Sequence, residues 1–300
     1  MKKIKTAIVG YGNLGKDIYE AIISSPDMEI AGVVIRDVTT AKAKGVPAEL
    51  KVTSNIADLG AVDVAFLCIP SREVLAEAGK ILSLGINTVD SYDMHGDLYD
   101  VQQKLDAVAK QSGAVAIIGT GFDPGIDSVV RCLFEAAAPR GITYTNYGPG
   151  MSLGHTVAVK AIPGVAKALS MTIPLGTSIH RRMVYVELSP GANADDVTAA
   201  IKQDAYFIND ETHVKFVPDV DVLIDKGHGV NLVRKGASGA ADNQLLEFNM
   251  KINNPALTTQ MMVATGRASV KQKPGCYTIV EIPPVDLLPG GREEVIRRLV

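Results

Sequence analysis

Two aspartates stand where acid–base chemistry needs them. Asp93 lies in Asp90-Ser91-Tyr92-Asp93-Met94-His95, just after the apolar run at 86–90. Asp123 lies in Thr120-Gly121-Phe122-Asp123-Pro124-Gly125, just after the run at 114–118. A pair of carboxylates at neighbouring strand ends can hold an ammonium group and accept protons from it. Each also has a plainer reading: Asp93 as a cap for a helix starting near Asp97, and Asp123 as part of an Asp-Pro-Gly turn.

The first residues carry a second kind of chemistry. An apolar strand at 4–9 runs into Gly10-Tyr11-Gly12-Asn13-Leu14-Gly15, and a helix pattern with Ile18, Ala21 and Ile22 on one face follows. A bare G-x-G-x-x-G is weak, but between a strand and a helix each glycine has a task. Gly10 permits the tight turn, Gly12 lets backbone approach a pyrophosphate, and Gly15 lets helix and strand pack closely. The helix N-terminus then offers free N–H groups and partial positive charge to the phosphates. At the end of the second strand, where an NAD protein usually has an acid, this chain has Arg36-Asp37. The guanidinium suits a ribose 2′-phosphate, which predicts NADP. Asp37 can turn away or pair with Arg36, and it leaves room for NAD.

Further candidates lie downstream. Residues 147–155, Tyr-Gly-Pro-Gly-Met-Ser-Leu-Gly-His, form a glycine-rich loop before a helix, readable as an anion-binding nest or as a domain hinge. His180-Arg181-Arg182 precedes a strand, and Arg182 is placed either to clamp a carboxylate or to sit in solvent. His228 lies in Gly227-His228-Gly229 without metal-site spacing around it. No H-E-x-x-H or paired C-x-x-C occurs, so no catalytic metal is expected, and no G-x-S-x-G supports a serine hydrolase.

The elements that must hold these groups alternate. Strands are predicted at 28–35, 62–68, 86–90 and 114–118, with helices from about Glu73 to Leu84 and through Leu98, Val101, Leu105 and Val108. That is a doubly wound parallel sheet of Rossmann type, whose ligands bind beyond the carboxyl ends of the strands. The loops at 70–72, 91–96 and 119–125 therefore converge on cofactor and substrate. After about residue 140 the segments 182–189, 213–217, 229–235 and 244–252 read as strands of alternating polarity. They suit an α+β domain with a mainly antiparallel sheet. A helix is predicted from about Pro255 to Val270, and a late strand at 276–283 rejoins the first sheet. The domains expected are 1–120, completed by about 255–300, and 121–254 for substrate binding and oligomerisation.

Composition narrows the class. The 300 residues carry a formal net charge of −3, so the basic field that nucleic-acid binding needs is missing. Three separated cysteines suit a reduced, cytoplasmic enzyme, with Cys68 read as a buried structural thiol. No apolar run approaches the roughly 18 residues of a membrane span.

Taken together, residues 10–15, 89–93, 121–125 and 148–155, with Ile162-Pro163-Gly164 and Gly227-His228-Gly229, resemble the meso-diaminopimelate D-dehydrogenase family from the first strand to the last. The resemblance implies reversible NADP-dependent oxidative deamination of the D-centre of meso-2,6-diaminopimelate to L-2-amino-6-oxopimelate and ammonia, in lysine and cell-wall precursor synthesis. It places Asp93 and Asp123 at the D-centre amino group, with Phe122, Tyr147 and the loop Met151 to Gly154, including Leu153, at the substrate. It assigns Thr172, Arg182 and His228 to the distal L-centre carboxylate and brings Asn254 to the substrate. The cofactor would be held by Gly10, Tyr11, Gly12, Asn13, Leu14, Gly15, Arg36, Pro70, Ser71, Arg72, Pro124 and Gly125. A homodimer or higher homo-oligomer is expected. The chain departs from the family at Phe122 and Tyr147, where tryptophan is frequent, at Leu153, where glutamine is frequent, and at Asp37, where a second base is frequent. The first two departures make a roomier, less polar pocket. Two rival readings are a dihydrodipicolinate reductase-like enzyme, whose basic catalytic loop is not found, and a non-catalytic NAD(P) sensor, which leaves the paired carboxylate loops without a use.

Overall fold

The computed structural model describes residues 3–224 and 227–300. The strands, in chain order, are β1 (Ile4–Val9), β2 (Met28–Val34), β3 (Val52–Thr53), β4 (Val64–Leu67), β5 (Asn87–Asp90) and β6 (Val115–Ile118). They continue as β7 (Arg140–Tyr147), β8 (Gly150–Met151), β9 (Val165–Gly176), β10 (Ile179–Leu188), β11 (Glu211–Phe216), β12 (Gly227–Ser238), β13 (Ala241–Asn253) and β14 (Gly275–Thr278). The helices are α1 (Asn13–Ile23), α2 (Ser71–Leu82), α3 (Leu98–Ser112), α4 (Ile126–Ala137), α5 (Leu153–Lys160), α6 (Ala194–Gln203), α7 (Asn254–Ser269) and α8 (Arg292–Leu299). The chain divides into one unit of residues 1–129 with 256–300 and another of residues 130–255.

The first unit is built on a seven-stranded sheet in the order β14-β6-β5-β4-β1-β2-β3. Every strand pair in it is parallel. Successive residues of β1 and β6 point to opposite faces, as the two-residue period of a strand requires. Ala7, Val9, Ala116 and Ile118 pack with Val74 and Ile81 of α2 and Leu105 of α3. Ile8, Val115 and Ile117 pack with Ile18 and Ile22 of α1 and Met262 and Val263 of α7. With both faces covered, the strands read as unbroken apolar runs rather than as alternating ones. Arg267 of α7 donates to the Asp27 carboxylate (2.8 Å), and that hydrogen bond holds the Asp27 pKa below its ordinary value. Cys68 as a whole residue is half-buried, and its thiol is buried deeply enough that desolvation pushes its pKa up.

β14 pairs with β6 as expected but ends at Thr278, four residues before the apolar pattern does. The cause is a capping box. The Thr278 backbone N–H donates to the Glu281 carboxylate (2.7 Å) and turns residues 279–281 into a 3₁₀ turn.

The second unit differs from its expectation in two respects. It holds two sheets rather than one, a four-stranded β11-β10-β9-β8 and a three-stranded β13-β12-β7. β11 also runs parallel to β10, with α6 in the connection between them. Val184 and Val186 of β10 pack with Val159 of α5 and with Val197 and Ile201 of α6. In the three-stranded sheet, Arg234 of β12 is buried. It donates to the carbonyls of Ala138 (2.8 Å) and Pro139 (3.3 Å) and to the Thr143 hydroxyl (2.7 Å), so each guanidinium nitrogen has an acceptor.

Candidate functional site

The glycine loop between β1 and α1 has one open position. A Cβ on Gly10, whose φ is +90°, would lie 2.4 Å from the Cys68 carbonyl oxygen, and one on Gly15 would lie 2.3 Å from the Gly10 carbonyl oxygen. Both positions are therefore closed to side chains by the fold itself. Nothing lies within 4 Å of a Cβ on Gly12. Gly12 is also the N-cap of α1 and provides no side-chain cap, so the first-turn N–H groups have no intrahelical acceptors. An unfilled cradle over uncapped amides fits the pyrophosphate of a dinucleotide. The Tyr11 ring is buried in the apolar core, which leaves its backbone to face a ligand.

At the end of β2, Asp37 turns away from Arg36. Its carboxylate accepts from the backbone N–H (3.0 Å) and hydroxyl (2.6 Å) of Thr39, and those bonds lower its pKa. Arg36 is 84% exposed and pairs instead with Glu73 in the first turn of α2. Glu73 was invisible as a partner in the sequence, because 37 residues separate it from Arg36.

The two acidic loops follow β5 and β6, which lie side by side. Asp93 accepts from the Ser71 hydroxyl at the start of α2 (2.6 Å), and its own N–H donates to the same oxygen (3.3 Å). Asp93 is thus not a cap of α3, whose N-cap is Asp97. The Asp123 carboxylate lies 3.3 Å from Nε2 of His95. Phe122 is buried, and the turn after it is held by bonds from the Ile126 N–H to the Gly121 carbonyl and from the Asp127 N–H to the Phe122 carbonyl. Gly125 is obligatory there, since its Cβ would fall 1.7 Å from the Gly121 carbonyl oxygen. A cavity of about 220 Å³ beside this turn is lined by His95, Leu98, Pro124, Ser128 and Thr278. His95 was within view in the sequence, two residues after Asp93, but nothing local linked it to Asp123.

The second unit gathers the residues expected at a carboxylate. Arg182 faces Thr172 across the β9–β10 ladder and donates to its hydroxyl through Nη1. Its Nε donates to Asp210 (2.5 Å), with side chains 15% and 25% exposed. The solvated reading of Arg182 is corrected: Arg182 lies within β10, carries an acidic partner, and alternates with the surface pair Arg181–Glu211. The segment Gly148–Gly150 is packed rather than open. A Cβ on Gly148 would meet the Thr172 carbonyl at 2.3 Å, and one on Gly150 the Gly227 carbonyl at 2.2 Å. The hinge reading fails because this segment lies inside the unit. The nest reading is weakened because the Gly148 N–H already donates to Gly229 (2.8 Å).

That packing sets Thr172 on one side of the segment and His228 on the other. His228 is buried, and its Nδ1 accepts from the Gly229 N–H (2.9 Å), so the ring proton sits on Nε2. The Tyr147 hydroxyl accepts from Arg131 (3.1 Å), and its N–H donates to His180 (2.8 Å). Met151 is a core side chain against Leu169 and Val220, with Leu153 packed partly on the same cluster. Ser152, two residues before Gly154, meets Nδ1 of His155 (2.8 Å). Asn254 is buried at the start of α7.

A glycine cradle on a doubly wound parallel sheet, with carboxylates at two adjacent strand ends and a separate α+β unit, defines a dinucleotide-dependent oxidoreductase. Residues 121–254 match the family described as the diaminopimelic acid dehydrogenase C-terminal domain. The whole chain is 62% identical to the meso-diaminopimelate D-dehydrogenase of Bacteroides fragilis, with 100% of each chain covered. The solved structure of C. glutamicum DAP dehydrogenase in complex with DAP is similar at a TM-score of 0.88 and 30% identity, covering 100% of both chains. An engineered D-amino acid dehydrogenase bound to NADP+ is similar at 0.89 and 29%, again over 100% of both. The chain belongs to the meso-diaminopimelate D-dehydrogenase family.

Proposed function

We propose that this chain oxidatively deaminates the D-centre of meso-2,6-diaminopimelate, with water and NADP, to L-2-amino-6-oxopimelate, ammonia and NADPH. The observation that carries the reading is the pair of carboxylates, Asp93 and Asp123, on loops after adjacent parallel strands in the unit that holds the Gly12 cradle. Family membership and the dizwitterionic substrate agree with it.

NADP, when bound, supplies the oxidising step by accepting the D-Cα hydrogen as hydride. The chain's own residues do the rest. The substrate ammonium must lose a proton before its nitrogen lone pair can form the C=N bond. Asp123 accepts that proton, or Asp93 does so through water. Asp93 is steadied by Ser71 and Asp123 by His95. Water then adds to the imine carbon, and the carbinolamine releases ammonia. Holding the reactants in a near-attack arrangement supplies up to about 7–11 kcal/mol of the barrier reduction. Thr172, Arg182 and His228 are assigned to the distal carboxylate. The cofactor is assigned to residues 10–15, to Arg36 and to the loops containing Ser71 and Pro124.

A spectrophotometric assay of NADP reduction tests the proposal, comparing meso-, L,L- and D,D-diaminopimelate with each cofactor. Turnover of the meso isomer with no reaction of the L,L isomer is expected. Equal rates for the two, or none for either at saturating NADP, would remove the assignment.

Arg36→Ala is expected to weaken NADP by about 10–100-fold, the loss of one charge-assisted contact worth about 1.5–3 kcal/mol, while leaving NAD nearly unchanged. Glu73 competes for the same guanidinium in the free protein, so the effect belongs at the low end of that range. Equal losses for both cofactors in equilibrium titrations would make Arg36 a loop cation only.

A further inference from the structure

Between the two carboxylate loops stands a third acid that the reaction above does not use. Asp90, the last residue of β5, is 0% exposed. Its Oδ1 accepts from the N–H of Tyr92 (2.9 Å), which closes an Asx turn in the Asp93 loop. The same oxygen accepts from the N–H of Gly119 (3.4 Å), where the Asp123 loop leaves β6. The Asp90 carbonyl adds two more bonds to that second loop, from the N–H (3.1 Å) and the hydroxyl (2.8 Å) of Thr120. Oδ2 is buried and has no hydrogen-bond partner.

Such a group is costly to keep, and the cost calls for a reason. The β5–β6 ladder pairs Thr88 with Ala116 and Val89 with Ile117 and reaches no further. Beyond it, the two loops are held together by Asp90. Gly119 has φ +62°, so the second loop departs in a left-handed turn at the residue Asp90 grips. A Cβ on Gly121 would lie 3.6 Å from that of Ser91, so the loops run in contact after they leave the sheet. Burial lifts the Asp90 carboxyl to about 7, against the opposing pull of the two N–H bonds. An asparagine has the same shape as this carboxyl and keeps the acceptor both loops need.

We propose that Asp90 is a positioning residue for deamination: its side chain fixes the Asp93 loop and the Asp123 loop at one spacing, and through them the hold on the substrate ammonium. The proposal rests on the reading of Asp93 and Asp123 as the ammonium-holding pair. The glycine cradle after β1 is not among its contacts, but the loop that carries Pro124 is, so a change in cofactor affinity smaller than the change in kcat accompanies the loss of Asp90.

The test compares Asp90→Asn, Asp90→Ser and Asp90→Ala in the full chain. The measurements are kcat and KM for meso-diaminopimelate, the Kd for NADP, and hydrogen exchange of the Tyr92 and Gly119 amides. Asn retains the acceptor and should keep kcat within about threefold. Ser can still close the turn at Tyr92 but is too short to reach Gly119. It should lose Gly119 protection and about 10–100-fold in kcat, since small misplacement costs up to about 10²-fold. Ala should lose both protections and fall at least as far. NADP Kd should change less than kcat throughout, because the glycine cradle after β1 keeps its place. Wild-type kcat in the Ser and Ala variants overturns the proposal, as does an Asn variant as poor as Ala or a parallel loss of NADP binding. If the wild type fails to turn over meso-diaminopimelate, the functional reading falls while the exchange data still decide whether Asp90 joins the loops. If Ala does not fold, Ser and Asn carry the comparison.

Discussion

Gly12→Ala is expected to leave the fold untouched and to cost the enzyme about 100-fold or more in NADP affinity. Gly12 sits at φ −92° and ψ −154°, at the margin of the extended region and outside the left-handed region that requires glycine. No chain atom lies within 4 Å of the added methyl, so nothing in the protein resists it. A ligand would, because the methyl occupies the space through which the pyrophosphate meets the α1 amides. Losing one or two such charge-assisted bonds is worth about 1.5–3 kcal/mol each. Gly15→Ala should behave in the opposite way. Its methyl would lie 2.3 Å from the Gly10 carbonyl, so α1 must shift off β1. Overpacking of that kind costs about 1–3 kcal/mol out of a typical 5–15. Melting temperature and NADP titration on both variants separate the cases. Equal melting losses, or a Gly12→Ala variant that binds NADP like the wild type, would show that Gly12 serves packing and not a ligand.

What was legible in the sequence follows from how locally each feature is determined. The glycine loop, the parallel strands and the positions of Asp93 and Asp123 after β5 and β6 depend on neighbouring residues only, and they could be read directly. The early end of β14 was also written locally, as Thr278-x-x-Glu281, but Ile279, Val280 and Ile282 masked the cap. The strand β9 was not read, because polar residues and Pro174 interrupt its pattern. The parallel β10–β11 pair was missed for another reason: alternation sets which face is buried, not which direction the partner runs. Partnerships over long separations were beyond reach altogether. Glu73 for Arg36, Asp210 for Arg182, and the grip of Asp90 on Gly119 each depend on the folded chain bringing distant residues together.

The Arg182–Asp210 pair changes what a substitution at Arg182 should do. Arg182→Met removes the proposed partner of the distal carboxylate, and it also strands Asp210. Breaking one side of a fully buried pair costs about 3–5 kcal/mol. Here both side chains keep some solvent contact, so a loss nearer about 1–3 kcal/mol is expected. The single variant therefore mixes a stability defect with a specificity change. Arg182→Met with Asp210→Asn separates them, because the asparagine needs no counter-charge. The double variant is expected to lose at least about tenfold in kcat/KM on meso-diaminopimelate, about 1.4 kcal/mol or more. Activity on D-amino acids with apolar side chains, such as D-alanine, should hold or rise, since they present no distal carboxylate and the double variant removes a charged pair they cannot use. Leu153, packed with Met151 in an apolar cluster, already makes this part of the unit less polar, so slow wild-type turnover of D-alanine is expected as well. Two results would count against the assignment: no D-alanine activity in the wild type, or a parallel fall for both substrates in the double variant. The second would mean that Arg182 serves to brace β10 against Asp210, and the distal carboxylate would then have to be assigned to Thr172 and His228 without it.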